Sequence, residues 1–230
     1  MKAVILKIIA RIRTDFPEKF GVPRQSGLAD TKGVIVFEPK YRDPEALRGI
    51  EGFSHLWILW GFSEVPEGKW SPTVRPPRLG GNKREGVFAT RSPFRPNPVG
   101  LSCVKLERIE QRQEGLVLCV SGVDMTDGTP VFDIKPYLPY VDSHPEAEDG
   151  FTRDIKDYRL SVEFPGEWLK KVPKEHQETL REILSQDPRP SYQEDKERVY
   201  GMAYAGMEIH FTVAEGLLTV CGVTAKTIGQ

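Results

Sequence analysis

The run Gly86-Val-Phe-Ala-Thr-Arg-Ser-Pro-Phe-Arg-Pro-Asn-Pro-Val-Gly-Leu-Ser102 constrains this chain more than any other stretch. Three prolines, two glycines and two arginines fall within its seventeen residues. Proline fixes φ and withholds a backbone donor, so the run predicts a stiff extended loop, neither helix nor central strand. The prolines then dictate where its carbonyls, the Asn97 amide and the guanidiniums of Arg91 and Arg95 point. Rigid polar loops on a scaffold commonly hold binding groups. The plainer reading is a turn that caps a barrel.

Strand-like segments surround the loop. Ala3 to Thr14 is dense in β-branched residues, and Gly33 to Phe37 follows as a second strand. His55 to Phe62 is almost wholly apolar, which predicts burial on both faces. Leu101 to Glu110 alternates, and Gly115 to Ser121 pairs with it through a turn at Gln111 to Glu114. Asp127-Gly128 marks a tight turn ahead of a short strand, Phe132 to Ile134, which Pro136 closes. Helical signals are brief: Asp43 as N-cap with Pro44 behind it, stopped by Gly49, and one later helix within Trp168 to Gln186. In that helix Leu180, Ile183 and Leu184 share a face, and Asp187-Pro-Arg-Pro190 ends it. Ser63 to Asn82 is long and without regular structure, which predicts function or mobility.

The chain is therefore expected to be mainly β. A β-barrel-like N-terminal domain spans residues 1–157, and a small α+β C-terminal domain spans 158–230, with the acidic segment Val141 to Asp157 at the boundary. No βαβ alternation is evident.

A net charge of −1 argues against a general polyanion binder. The distribution is uneven, however: Arg75, Arg78, Lys83, Arg84, Arg91 and Arg95 face a single acid, Glu85, between positions 75 and 95. A stripe of this kind can bind a structured nucleic acid or a phosphorylated ligand, or can simply be a solvated surface. Cys103, Cys119 and Cys221 are odd in number and scattered, which suits reduced thiols in a cytoplasmic setting and gives neither a disulfide framework nor a zinc motif. Val4 to Ile9 is too short to span a membrane and lacks a signal-peptide cleavage pattern.

Several chemistries are missing from the sequence. There is no G-x-G, hence no Rossmann-type donor loop, and Val87-Phe88 stand where a phosphate loop needs Lys and Ser/Thr. No G-x-S-x-G elbow is present. The four histidines, His55, His144, His176 and His210, stand singly, so no metal site is expected. What remains is positioning chemistry around a ligand that is already activated.

Three stretches resemble the tRNA-methyltransferase O family: Pro23-Arg-Gln-Ser-Gly-Leu28, the run from Val87 to Ser102, and Asp127-Gly-Thr-Pro-Val-Phe-Asp-Ile-Lys-Pro-Tyr137. The Asp187-Pro-Arg-Pro190 element is similar to that of the bacterial members' C-terminal appendage. The resemblance implies a non-Rossmann, S-adenosylmethionine-dependent methyltransferase. It would methylate N6 of threonylcarbamoyl-adenosine beside the tRNA anticodon, and it would be a homodimer. Carried over residue by residue, the resemblance gives donor-pocket positions Gln25, Ser26, Gly27, His55, Leu56, Arg91, Leu101, Asp127, Gly128, Thr129 and Pro130. Asp133 and His55 are candidates to take the acceptor's proton. Arg75, Arg78, Lys83, Arg84 and Arg95 would meet RNA phosphates, with Trp70 stacking on bases. Two other readings are an RNA-binding module without catalysis and a methyltransferase of another substrate.

Overall fold

The computed structural model describes residues 5–66, 68–76, 79, 83–189 and 195–225. Of the residues named above, Ala3, Val4, Arg78, Asn82 and Pro190 lie outside the described set.

The N-terminal half is a curled sheet. Its strands are β1 (Ala10–Thr14), β2 (Lys32–Phe37), β3 (His55–Gly61), β6 (Val99–Arg112), β7 (Gly115–Ser121) and β8 (Pro130–Pro136), with a two-strand ribbon, β4 (Thr73–Val74) and β5 (Glu85–Gly86), between β3 and β6. Neighbours run β1-β2-β7-β6-β3-β8, and β8 meets β1 again at Ala10↔Val131 and Arg11↔Pro130. The barrel-like reading is correct, although this last seam is short. Ile12, Ile35, Leu56, Ile58, Val104, Leu118 and Val131 fill the interior.

Four local expectations need correction. Among the described residues the first strand starts only at Ala10, because β2 supplies no partner before Ala10↔Phe37; Ile5 stands 84% exposed. β3 is not buried on both faces: Leu56, Ile58 and Trp60 point inward while His55 is exposed. Apolar Trp57 and Leu59 lie on the outer face, where α1 (Pro139–Asp142) shelters the Trp57 indole through a 3.0 Å bond to Asp142. The Asp43 cap accepts from the Glu45 amide, but the turn behind it, Pro44–Leu47, is 3-10. The stretch from Ser63 contains one edge of the β4–β5 ribbon.

The C-terminal half forms a second layer. Its elements are β9 (Ser161–Glu163), α2 (Gly166–Leu169), α3 (Lys174–Ser185), β10 (Tyr200–Tyr204), β11 (Met207–Ala214) and β12 (Leu217–Ala225). Pro173 divides the region expected to hold one helix, and α3 buries Leu180, Ile183 and Leu184 against the sheet β10-β11-β12-β9. Phe16 and Ala29, from the N-terminal half, belong to this second core. The connection between β1 and β2 therefore reaches out of the barrel and packs against the C-terminal half.

Candidate active site

β6 and β7 pair only from Lys105↔Ser121 onward, so the two strands part above that point. Extending the register places Ser102 opposite Asp124, and the Ser102 hydroxyl donates to the Asp124 carboxylate at 2.6 Å. The Trp60 indole in turn donates to Ser102 at 2.9 Å. Gly100 permits this arrangement, because a Cβ there would lie 2.3 Å from the Trp60 ring.

Into the split between β6 and β7 comes the loop carrying Gln25, Ser26 and Gly27. The Cys103 amide donates to the Ser26 hydroxyl at 3.1 Å, and the Gly27 amide to the Gly122 carbonyl at 2.9 Å. Gly122 is in the left-handed region (φ 78°), and the Gly27 backbone lies 3.2 Å from where its Cβ would sit, so a side chain there would be strained and would crowd the loop. Across the same opening the Arg91 guanidinium donates to Gln25 Oε1. Burial lifts the Asp124 pKa to about 6, against the opposing pull of the Ser102 hydroxyl, its own amide, the Ser26 amide and the Arg91 charge.

The proline-rich loop is self-braced. It opens with a 3-10 turn at Val87–Ala89, the one helical element in a run expected to have none. Thr90 Oγ1 donates to the Val87 carbonyl and accepts from the Ser92 amide, and Ser92 Oγ accepts from the Phe94 amide. Arg95 donates to the Thr90 carbonyl at 3.1 Å, so it tightens the loop it belongs to. The outcome is an open concavity of about 370 Å³ lined by Thr90, Arg91, Arg95, Asn97, Val99 and Leu101.

Leu101 faces outward, 52% exposed, and Ser102 and Val104 face the interior; the alternation of β6 was legible but its inward face was not. Pairing carries that outer face onto β3, with Leu101↔Leu59, Cys103↔Trp57 and Lys105↔His55. A second concavity, of about 340 Å³, lies farther along the same face and includes His55, Gly27, Cys103, Lys105, Gly122 and Glu182. Leu101 of the first and Cys103 and Lys105 of the second follow one another along the outer face of β6 and make a strip of it; Gly27 lines the second concavity, and Gln25 reaches the first through Arg91.

The structure thus brings together Gln25, Ser26, Gly27, Arg91 and Leu101, with His55 at the far end. His55 Nδ1 lies 2.9 Å from Ser54 Oγ, and its ring is edge-on to Tyr137. Leu56 is fully buried in the barrel interior, so its side chain lines neither concavity. Asp127, Gly128, Thr129 and Pro130 are engaged elsewhere. Asp127 Oδ1 accepts from the Thr14 amide, the Gly128 amide (φ 76°) donates to the Ile12 carbonyl, and Thr129 and Pro130 are buried. Asp133 sits on the outer face opposite Leu59, in an ion pair with Lys135 at 2.9 Å. Strand spacing puts it about 10 Å across from Leu101, whereas His55 is about 13 Å along β3 from Leu59. The two proton-acceptor candidates are therefore not neighbours.

On the ribbon beside the loop, Arg75 is exposed, Lys83 pairs with Glu85 at 3.1 Å, and Arg84 donates to Thr73 Oγ1 at 2.8 Å. Trp70 and Phe88 are 54% and 76% exposed. Sequence reasoning missed Asp124 and Ser102. An acid just past the end of a strand looks like a solvated turn, and a serine within an alternating strand looks like its outer face. Among the described residues no group of His, Cys, Asp or Glu could hold a metal ion, and no helix is long and apolar enough to cross a membrane.

Comparison with known proteins gives the family. The family model for the tRNA-methyltransferase O N-terminal domain matches residues 11–143, and that for its C-terminal domain matches 157–226. A protein of Escherichia coli K12 named tRNA (adenine(37)-N6)-methyltransferase is 46% identical over 204 residues, covering 86% of this chain and 86% of its own. A protein of the same name from Eikenella corrodens is 47% identical over 174 residues, covering 75% of this chain and 98% of its own. A solved structure of TrmO from Pseudomonas aeruginosa matches with a TM-score of 0.80 at 33% identity, over 98% of both chains. This chain belongs to the tRNA-methyltransferase O family.

Proposed function

We propose that this protein is an S-adenosylmethionine-dependent methyltransferase acting on N6 of adenine 37 in tRNA. The observation that carries this reading is the convergence of Arg91 and the Gln25–Gly27 loop at an open strip bordered by exposed Leu101. That residue set fits the donor. Arg91 can grip a carboxylate in forked geometry, Leu101 and Val99 offer an apolar surface, and Gly27 (φ 75°) leaves its Cβ position empty for close backbone approach. Bound there, the donor supplies a methyl group already activated on a sulfonium.

The protein's own contribution is alignment. Gln25 orients Arg91, and the proline loop fixes the wall against which the donor is aligned. A proton must leave the acceptor nitrogen. Asp133, in the Leu59–Leu101 row, is the proposed acceptor, with His55 at the end of the strip as the alternative. Exposed Arg75 and the partly tethered Lys83, Arg84 and Arg95 offer charge to anticodon-stem phosphates, and Trp70 and Phe88 offer ring faces to unstacked bases.

Finer parts of the reading follow. The acceptor base is proposed to carry the threonylcarbamoyl group, whose carboxylate is a second partner for the cationic wall. A homodimer is proposed from the exposed apolar side chains of Ile5, Leu6, Tyr140 and Val141. Three free thiols suit a reducing cytoplasm. The division near residue 157 is supported by the two separate cores, with Phe16 and Ala29 crossing between them.

Incubation of the protein with labelled S-adenosylmethionine and tRNA, followed by mass spectrometry of nucleosides, tests the assignment. Label should appear on N6 of the threonylcarbamoyl-adenosine next to the anticodon. Label on another nucleoside would redirect the specificity. Failure of the donor to raise the melting temperature at saturation, together with intact RNA binding, would reduce the protein to an RNA-binding module.

A further inference from the structure

The loop that borders the strip is held from two sides. On the barrel side it is fixed by Cys103 and Gly122. On the other side a set of hydrogen bonds comes from α3 and the turn behind it. Arg24 Nη2 donates to the carbonyls of Asp187 at 3.2 Å and Arg189 at 3.0 Å. Those carbonyls are held in place by a forked ion pair, Arg189 Nε to Asp187 Oδ1 at 2.8 Å and Nη2 to Oδ2 at 3.0 Å, within a turn where Asp187 takes a left-handed φ of 51°. Back along the chain from Asp187, Gln186 donates to the Leu28 carbonyl at 2.9 Å, Glu182 accepts from the Asp30 amide at 2.8 Å, and Thr179 donates to the Asp30 carbonyl at 3.3 Å. The grip therefore falls on the Arg24 side chain at one end of Gln25-Ser26-Gly27 and on backbone groups of Leu28 and Asp30 at the other.

We propose that the C-terminal half is a clamp that sets the geometry of the donor-binding loop, with Arg24 and Glu182 as its positioning residues. The idea rests on the donor site proposed above. Neither residue needs to touch the donor. A loop of three small or polar residues has no core of its own, so its conformation is set by what holds its ends. Glu182 also lines the second concavity, which puts one of the clamp's side chains at the strip itself. This gives the C-terminal half a role in donor binding that is separate from any contact it makes with RNA.

The test compares Arg24→Ala, Glu182→Ala and Glu182→Gln in the full chain. Donor affinity is read by calorimetry with S-adenosylmethionine, RNA affinity by anisotropy with an anticodon stem-loop, and folding by melting temperature. Each alanine variant should weaken donor binding by about tenfold, the equivalent of one or two lost hydrogen bonds, with RNA affinity unchanged. Glu182→Gln keeps an acceptor for the Asp30 amide and should bind like wild type, which an effect of charge alone would not allow. Unchanged donor affinity in both alanine variants overturns the clamp, as does a loss of RNA affinity without a loss of donor affinity. A loss of donor affinity in Glu182→Gln equal to that in Glu182→Ala, or one matched by a general fall in melting temperature, also overturns it. If the wild type itself binds no donor, the donor-site reading fails first and takes the clamp with it.

Discussion

Burial raises the Asp124 pKa from 3.8 to about 6, while Ser102, its own amide, the Ser26 amide and the Arg91 charge all draw it down. A carboxyl whose folded pKa is raised holds its proton more tightly in the folded state than in the unfolded one. Its contribution to stability is complete below about pH 3.8 and is lost as the pH rises through about 6. Asp124→Asn has the same shape and does not titrate. Measured by urea unfolding, wild-type stability relative to that variant should therefore increase as the pH is lowered from 7 to 4, by up to about 3 kcal/mol. The opposite slope would mean that the Ser26 and Arg91 interactions outweigh burial, and a flat difference would mean that the carboxyl is not enclosed. The same side chain shows where sequence reading stops. Asp124 stands in the sequence three residues before the evident Asp127-Gly128 turn and is indistinguishable from a surface acid. Its role becomes visible only when β6 and β7 are seen to part and the register brings Ser102 opposite it.

At the scale of elements, the strands were legible wherever alternation, caps and turns agreed. β2, β7, the Asp43 cap and the buried face of α3 all follow from local pattern. Which face of β6 points inward did not, because a period of two is satisfied equally by either choice. The apolar count favours Leu101 and Cys103 inside; the core instead takes Gly100 and Ser102, since Trp60 needs the room over the glycine and a partner for its indole N–H. That choice turns Leu101 toward the concavity, so the register that seats Trp60 also furnishes the site. The β4–β5 ribbon was equally hidden, because two-residue strands carry no period. Its end presents Arg75, which is exposed, whereas Arg84 is held by Thr73. If this ribbon meets RNA phosphates, Arg75→Ala should weaken binding to all stem-loops alike. It should also flatten the plot of log affinity against log salt by roughly 0.7 to 0.9, the values for one phosphate contact on a single strand and on a duplex. An unchanged slope would remove the ribbon from the RNA interface, whereas a change confined to one RNA sequence would make Arg75 a base reader.

For the whole molecule, the question is whether two cores behave as one body. The barrel interior and the C-terminal core share no buried side chain, and the link between them is the connection from β1 to β2. Phe16 is its keystone: fully buried among C-terminal residues, with its ring 5.3 Å from that of Tyr204. Its carbonyl meanwhile accepts from the Asp127 amide at the barrel's end, and the neighbouring Asp15 carbonyl accepts from Ala205 at 2.9 Å. Cutting the ring back to alanine leaves a cavity on the C-terminal side alone, at a cost of about 3–5 kcal/mol. Hydrogen exchange read separately on β7 and β11 distinguishes the outcomes. If the halves are coupled mainly through Phe16, the Phe16→Ala variant should lose protection in β11 by that amount while β7 keeps its own. Equal losses in both strands would show a single cooperative unit, held together by the backbone bonds around Asp15 and Asp30 as much as by the ring. No loss in either would mean that the C-terminal core closes over the gap. The first outcome also bears on the site, because a C-terminal half that opens on its own releases the clamp on Arg24 and Asp30, and donor affinity should then fall in step with the lost protection of β11.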